Sequence, residues 1–292
     1  MSKKSRGHVA VPYLITIFIG LLLIGGAAVY IYNYLGLGDK DELSEPVART
    51  AATATYADSH TMLMILDTPD AKCKSTFVLM RSIPKEKKLV FVGLPTNTIA
   101  VVNGSQARLS DTYVRGGASE AVNFVSQTLG IEIDRYMVFD EEALIKLSDI
   151  MGGVTYTVAA DIGTMKKNTE QYINGSQLIK VITCPIYTDG EVQRAYTASS
   201  VLSSMVNQAD GQRIADGLDR TFTTIINLVD SDVTSVDYRN HKVGIKDMVR
   251  NGSAYARFRV ADGTVSGSDF IISNSFVESF KKEYFEEHTE EK

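Results

Sequence analysis

Residues 129–158 read LGIEIDRYMVFDEEALIKLSDIMGGVTYTV, and the order of signals inside them decides the fold. The preceding stretch, ASEAVNFVSQTLG (118–130), puts Val122, Val125 and Leu129 on one helical face and stops at Gly130, a residue suited to the left-handed C-terminal position. A short apolar strand follows. Asp140 then stands where a helix N-cap belongs, Glu141 and Glu142 favour the positive helix end, and Leu144, Leu147 and Met151 form a buried stripe that ends before Gly152. VTYTV (154–158) reads as another strand.

The same alternation extends in both directions. Upstream, TMLMIL (61–66), TFVLMRSI (76–83) and KLVFVGL (88–94) are short apolar or β-branched runs separated by polar turns, as central strands are, the second and third forming a hairpin. Downstream, residues 197–208 and 213–229 carry helical periodicity, with Leu218, Phe222, Ile225 and Val229 aligned in the second. AYARFRV (254–260) alternates like a strand, and SNSFVESFKKEYF (273–285) reads as an amphipathic helix. Strands and helices in one continuous pattern argue for a single α/β (or α+β) domain over 60–285, with helices packed on a central mixed sheet. Residues 286–292 read as a solvated acidic tail.

Before the domain the composition changes. From Val9 to Leu35 there is no charged residue, and such a run exceeds the roughly 20 apolar residues that span a bilayer as a helix. Lys3, Lys4 and Arg6 precede it within residues 1–8, while Asp39, Asp41 and Glu42 follow it, so the positive-inside rule keeps the N-terminus cytosolic. The expected layout is a transmembrane helix at 9–35, an extracytoplasmic linker at 36–59 and the folded domain outside a cell membrane. A cleaved signal peptide is the competing reading, but its apolar region is usually only about 7 to 15 residues long.

Thirty Lys and Arg against 35 Asp and Glu leave a formal charge of -5. No dense basic tract is present, which disfavours a nucleic-acid partner, because phosphate neutralisation needs clustered cations. The two cysteines, Cys73 and Cys184, both fall on the exported side, where redox conditions permit a disulfide. Two buried free thiols remain the alternative.

The 129–158 segment resembles the heart of the LytR-CpsA-Psr family of bacterial cell-envelope proteins: Leu-Gly-Ile, Ile-Asp, Tyr, an apolar strand, an acidic helix start, then Gly-Gly-Val. ARLSDTYVRGG (107–117) is similar to that family's Lys-x-Asn-x-x-Tyr-x-x-Gly-Gly stretch. The resemblance implies an extracytoplasmic enzyme that moves a glycopolymer from a polyprenyl-pyrophosphate carrier to peptidoglycan. It also implies an apolar lipid tunnel between sheet and helices, arginines that clamp the pyrophosphate, and aspartates that hold Mg²⁺.

Several charged positions of that pattern are substituted. Where the family reads Ser-Ile-Pro-Arg-Asp-Thr, this chain has Gly93-Leu94-Pro95-Thr96-Asn97-Thr98, so Thr96 replaces Arg and Asn97 replaces Asp. Ser75, in CKST, stands where a metal-binding Asp is expected, with Lys72 and Lys74 as the replacement charges nearby. Asp67 retains the upstream aspartate and is the one metal candidate. In DGQRIADG, Asp210 and Arg213 match the family's Asp-x-Gly-Arg-x-x-Arg-Gln, but Asp216 takes the second arginine's place.

Asp67 and Arg213 are therefore the candidate catalytic residues, and Lys72, Lys74, Arg108 and Asp210 the candidate ligand-binding set. The expectation is a degenerate relative that binds the polyprenyl-linked glycan or serves as scaffold or regulator. An active phosphotransferase using Mg²⁺ is the first alternative, and a surface structural module the second. Asp67 as a turn cap and Asp210 as a plain N-cap are the bland readings of those two carboxylates.

Overall fold

The computed structural model describes residues 54–67, 75–183, 187, 190–251 and 255–286. Along the chain stand β1 (His60–Leu66), β2 (Thr76–Ile83), β3 (Lys88–Leu94), β4 (Ile99–Val102), β5 (Ser105–Arg108), α1 (Leu109–Leu129), β6 (Arg135–Phe139), α2 (Glu141–Met151), β7 (Val154–Thr157) and β8 (Glu170–Ile173). They are followed by α3 (Gly175–Ile182), α4 (Gly190–Gln208), α5 (Gly211–Asp216), α6 (Leu218–Ile226), β9 (Asp230–Ser231), α7 (Ser235–Asn251), β10 (Ala256–Val260), β11 (Gly263–Ser266), β12 (Asp269–Ile272) and α8 (Asn274–Tyr284).

Six strands form a mixed sheet in the order β10-β3-β2-β1-β6-β9. β1, β2 and β3 pair antiparallel in sequence, whereas β1 with β6 and β3 with β10 are parallel. Successive side chains leave a strand on opposite faces, and both faces of these strands are apolar, as a sheet covered on both sides requires. Leu63, Ile65, Phe77, Leu79, Val90 and Val92 pack with Phe124 and Leu129 of α1 and Phe276 and Phe280 of α8. Met64, Leu66, Val78 and Phe91 pack on the other side with Leu144, Leu178, Val201, Leu202 and Met205. The result is helix, sheet, helix in three layers, the mixed architecture expected from the sequence.

Local signals around the opening segment act as read. Asp140 accepts a hydrogen bond from the Ala143 amide at 2.8 Å, and Gly130 and Gly152 cap α1 and α2 with positive φ. Three details differ from the sequence reading. VTYTV does not join the central sheet; β7 pairs with β8 in a separate ribbon. The helical pattern at 213–229 is broken at Gly217 into α5 and α6, because Gly217 is simultaneously the C-cap of one and the N-cap of the other. The end of the expected linker is already structured, with Ala54 buried and a 3-10 turn at Tyr56–Asp58.

Among the described residues no helix is long and apolar enough to cross a membrane. The expected span at 9–35 lies outside the described residues, as do Lys72, Cys73, Lys74, Cys184 and the tail beyond 286.

Candidate functional site at the strand ends

Asp67 follows the last residue of β1, and its amide donates to the Phe139 carbonyl at 2.8 Å, so it sits on the C-terminal edge shared by the parallel pair β1 and β6. β2 runs the opposite way, which brings its first neighbour, Ser75, to the same edge; Ser75 Oγ donates to Asp67 Oδ1 at 2.7 Å. Tyr113, on α1, donates its hydroxyl to Asp67 Oδ2 at 3.0 Å. Burial, reinforced by the Asp67 carboxylate, pushes the Tyr113 phenol well above its ordinary pKa, so it remains a donor.

β3 is parallel in direction to β1, and the loop after it therefore reaches this edge too. Thr96 is 1% exposed, and its hydroxyl donates to Glu191 Oε2 at 2.6 Å. Glu191 belongs to the first turn of α4 and pairs with Arg194, whose Nε and Nη2 approach the same oxygen at 3.0 and 2.5 Å. Arg194 is 5% exposed. Its guanidinium also donates to Thr76 Oγ1 at 2.9 Å, Thr183 O at 3.3 Å, Ser75 O at 3.4 Å and Thr96 Oγ1 at 3.2 Å. A buried guanidinium is tolerable only when charge and donors are satisfied in this way.

Gly93 explains how α4 comes so close. A Cβ at that position would lie 2.1 Å from the Ala195 carbonyl oxygen, the residue after Arg194. The substitution of the resembled motif's Ser by Gly at this point is what lets the helix backbone lie against β3.

The sequence-derived candidates divide into two groups. Asp67, Ser75 and Thr96 come together in one polar network with Tyr113, Glu191 and Arg194. Asn97 turns away: its Nδ2 donates to Ser268 O at 2.8 Å, and its main-chain oxygen accepts from Phe270 N, tying β3 to the β11–β12 hairpin. Arg108 pairs with Asp269 and approaches Asp111 at 3.7 Å, and the Asp269 hydrogen bond raises its guanidinium pKa further.

Asp210, Arg213 and Asp216 stand elsewhere. Asp210 caps α5 by accepting from Arg213 N at 3.0 Å, while Asp216 accepts from Arg250 and Gln212, each at 2.8 Å. Arg213 Nη2 donates to Ile150 O at 2.7 Å. Ile150 is ten residues along α2 from Asp140, so this contact is about 15 Å from the helix end that adjoins Phe139 and Asp67. Sequence reasoning missed Glu191 and Arg194. Their signal was an i,i+3 acid-base pair directly after a glycine and before AYTASS, whose residues other than Tyr196 are small and allow close packing.

A second feature lies between the sheet and α2, α4, α6 and α7. A cavity of about 310 Å³ is lined almost wholly by apolar side chains, among them Met62, Met64, Met80, Met137, Met205 and Met248. That volume is at the lower end of ligand pockets. At the N-terminal edge of the sheet it ends at His60 and His241, whose rings stand 4.9 Å apart.

A model of the LytR_cpsA_psr family matches residues 57–289. Biofilm regulatory protein A of Streptococcus mutans is 27% identical over 201 residues, covering 56% of this chain and 49% of that protein. The polyisoprenyl-teichoic acid–peptidoglycan teichoic acid transferase TagU of Halalkalibacterium halodurans is 29% identical over 82 residues, 27% of each chain. The chain thus spans about half the length of the first of these relatives and about a quarter of the second. Among solved structures, a protein described as a transcription regulator from Eubacterium siraeum superposes with a TM-score of 0.70 at 22% identity, covering 84% of this chain and 98% of that one. At that identity the likeness speaks for the fold.

Proposed function

The chain belongs to the LytR-CpsA-Psr family, and from that premise we propose that it is a cell-envelope protein, held outside the membrane by its N-terminal apolar segment, that binds a polyprenyl-linked glycopolymer as a scaffold or regulator. The observation that carries this reading is the combination of an apolar cavity with a polar site whose buried arginine, Arg194, is already matched by Glu191. Of the other described candidate cations, Arg108 is paired with Asp269 and Arg213 holds the Ile150 carbonyl, both away from that site. Methionine suits the cavity, since its unbranched side chain adapts to a flexible isoprenoid, and each buried CH₂ contributes about 0.8 kcal/mol. The name of the first relative, a biofilm regulatory protein, agrees with such a role.

The transferase reading is favoured by two things, the retention of Asp67 with a buried Arg194 close by and what the TagU relative is named for. Its Mg²⁺ would need Asp67 as first ligand. The donor set fits that ion poorly: both Asp67 oxygens already accept from hydroxyls, Ser75 brings no charge, and among the described residues no group of three metal-binding side chains exists.

The test uses the full chain in detergent micelles with a polyprenyl-pyrophosphate-linked glycan, peptidoglycan and Mg²⁺, beside an intact family member. Polyprenol binding with turnover at least a hundredfold below the control is expected, a ratio worth about 2.7 kcal/mol of barrier. Turnover within about tenfold of the control would restore the enzyme.

A further inference from the structure

Glu191 occupies the first turn of α4, where unpaired backbone N–H groups and the helix dipole favour negative charge. Thr96 Oγ1 at 2.6 Å, Arg194 Nε at 3.0 Å and Arg194 Nη2 at 2.5 Å converge on its Oε2. A hydroxyl and two N–H groups of one guanidinium meeting at a single oxygen are donors of the kind that an arginine offers to a phosphate oxygen. Thr76, Thr183 and Ser75 hold the rest of the guanidinium from behind. Arg194 is therefore oriented before any ligand arrives.

The two partners are not equally anchored. The Glu191 side chain is 23% exposed against 6% for Arg194, so the carboxylate is the member that can turn to solvent while the arginine stays in place. Were a phosphate to enter with Glu191 still seated, two anions would share one guanidinium at close range, and like charges that near disfavour each other strongly. We propose that Glu191 is an internal occupant of the site's anion position, and that a phosphate or pyrophosphate group gains Arg194 and Thr96 only by displacing it. The identity of the phosphate as the headgroup of a lipid carrier rests on the function proposed above; the displacement itself rests on the geometry alone.

Glu191 then sets specificity. A ligand without a phosphate does not compete for Arg194, whereas a phosphorylated one must expel a carboxylate from it. No covalent step is involved: one anion replaces another on the same donors.

The test measures equilibrium binding of inorganic pyrophosphate, without Mg²⁺, to the full-length protein in micelles. Glu191→Gln should bind pyrophosphate at least about tenfold more tightly than the unmodified protein, and Glu191→Gln/Arg194→Gln should lose that gain. Glu191→Asp keeps the charge and the fold but reaches one methylene less far, so it should gain about threefold. Thermal melts report whether each variant is folded. Unchanged affinity in folded Glu191→Gln, or the same gain in the double variant, overturns the proposal. If Glu191→Gln does not fold, unchanged affinity in Glu191→Asp overturns it. A parallel titration with an uncharged long-chain polyprenol separates the two ideas: equal binding to the unmodified protein and Glu191→Gln is expected, and no binding to either would defeat the lipid reading while leaving the pyrophosphate comparison intact.

Discussion

On the face of the sheet covered by α1 and α8, the side chains of Leu63, Ile65, Phe77 and Leu79 meet Phe124, Phe276 and Phe280, and the Phe280 ring stacks on Phe276 at 5.8 Å and meets Tyr284 and Phe285 at an angle at 5.3 and 5.5 Å. On the opposite face, the alternate residues Met62, Met64 and Met80 of the same strands meet Met205 and Met248 across about 310 Å³ of unfilled space. The difference lies in side-chain choice on a shared backbone. Rigid aromatic rings fill one layer to the density of a protein interior. Flexible thioethers line a void that costs stability and that a ligand could recover. Both faces hold the fold, but only one leaves room beside its core.

Truncation gives the largest expected contrast. Phe280 is 0% exposed, and Phe280→Ala should lower unfolding free energy by about 3 to 5 kcal/mol. Met205→Ala, on the hollow face, should cost about 2 kcal/mol, the low end for such changes, because its neighbours already border empty space. Denaturant unfolding compares them. Equal losses would mean that the methionine layer is as tightly packed as the aromatic one.

Next in size is the seam between β3 and α4. Gly93→Ser restores the residue of the resembled motif but sets a Cβ 2.1 Å from the Ala195 carbonyl oxygen, so the helix must move away from the strand. Overpacking of this kind costs about 1 to 3 kcal/mol. The shift should also loosen Arg194 from Thr76 and Ser75. A melting temperature unchanged by the substitution would show that α4 is not held by this contact.

Filling the hollow face should affect binding far more than stability. Leu202 lines the cavity and is 1% exposed. Leu202→Phe should weaken polyprenol binding by about tenfold, while stability changes by less than about 1.5 kcal/mol because the added volume enters a void. Undiminished lipid binding would place the tail elsewhere on the protein.

These contrasts also mark what could be read in advance. β1, β2, β3, β10, α2 and α8 announce themselves by apolar period and by caps such as Asp140. The β4–β5 hairpin was overlooked although Asn103-Gly104, both at positive φ, is a strong turn signal. α7 was overlooked for a different reason: SVDYRNHKVGIKDMVRN is polar around most of its circumference, so no stripe stands out. Within the site, Asp67, Ser75 and Thr96 are located through the family resemblance, and the strand ends then bring them to one edge. Glu191 and Arg194 are not, since an i,i+3 acid-base pair is a weak signal by itself, and only the helix's close approach at Gly93 brings them in. Arg213 shows the converse, a motif match whose side chain is used about 15 Å away to hold α5 against the end of α2.

The smallest effect expected is a dependence of stability on pH confined to the hollow face. His60 ends the cavity with Nδ1 3.4 Å from Asp134, and its ring faces His241, with Asp237 and Arg135 also acting on it. Burial lowers its pKa below the usual 6.5, opposed by Asp134 and aided by His241. Neutral His60 is therefore favoured in the folded protein, while the unfolded chain takes up a proton as soon as pH drops past about 6.5. The contribution is fully present above that pH and is lost as pH falls toward the lowered folded value. Urea midpoints should accordingly decline between pH 7.5 and 5.5, and His60→Gln should flatten the decline. Hydrogen exchange should show the loosening at β1 and α7 before α1 and α8, since His60 and His241 belong to the first pair. A midpoint independent of pH, or the same slope in His60→Gln, would remove His60 as the cause and leave the two faces of the sheet alike in their response to acid.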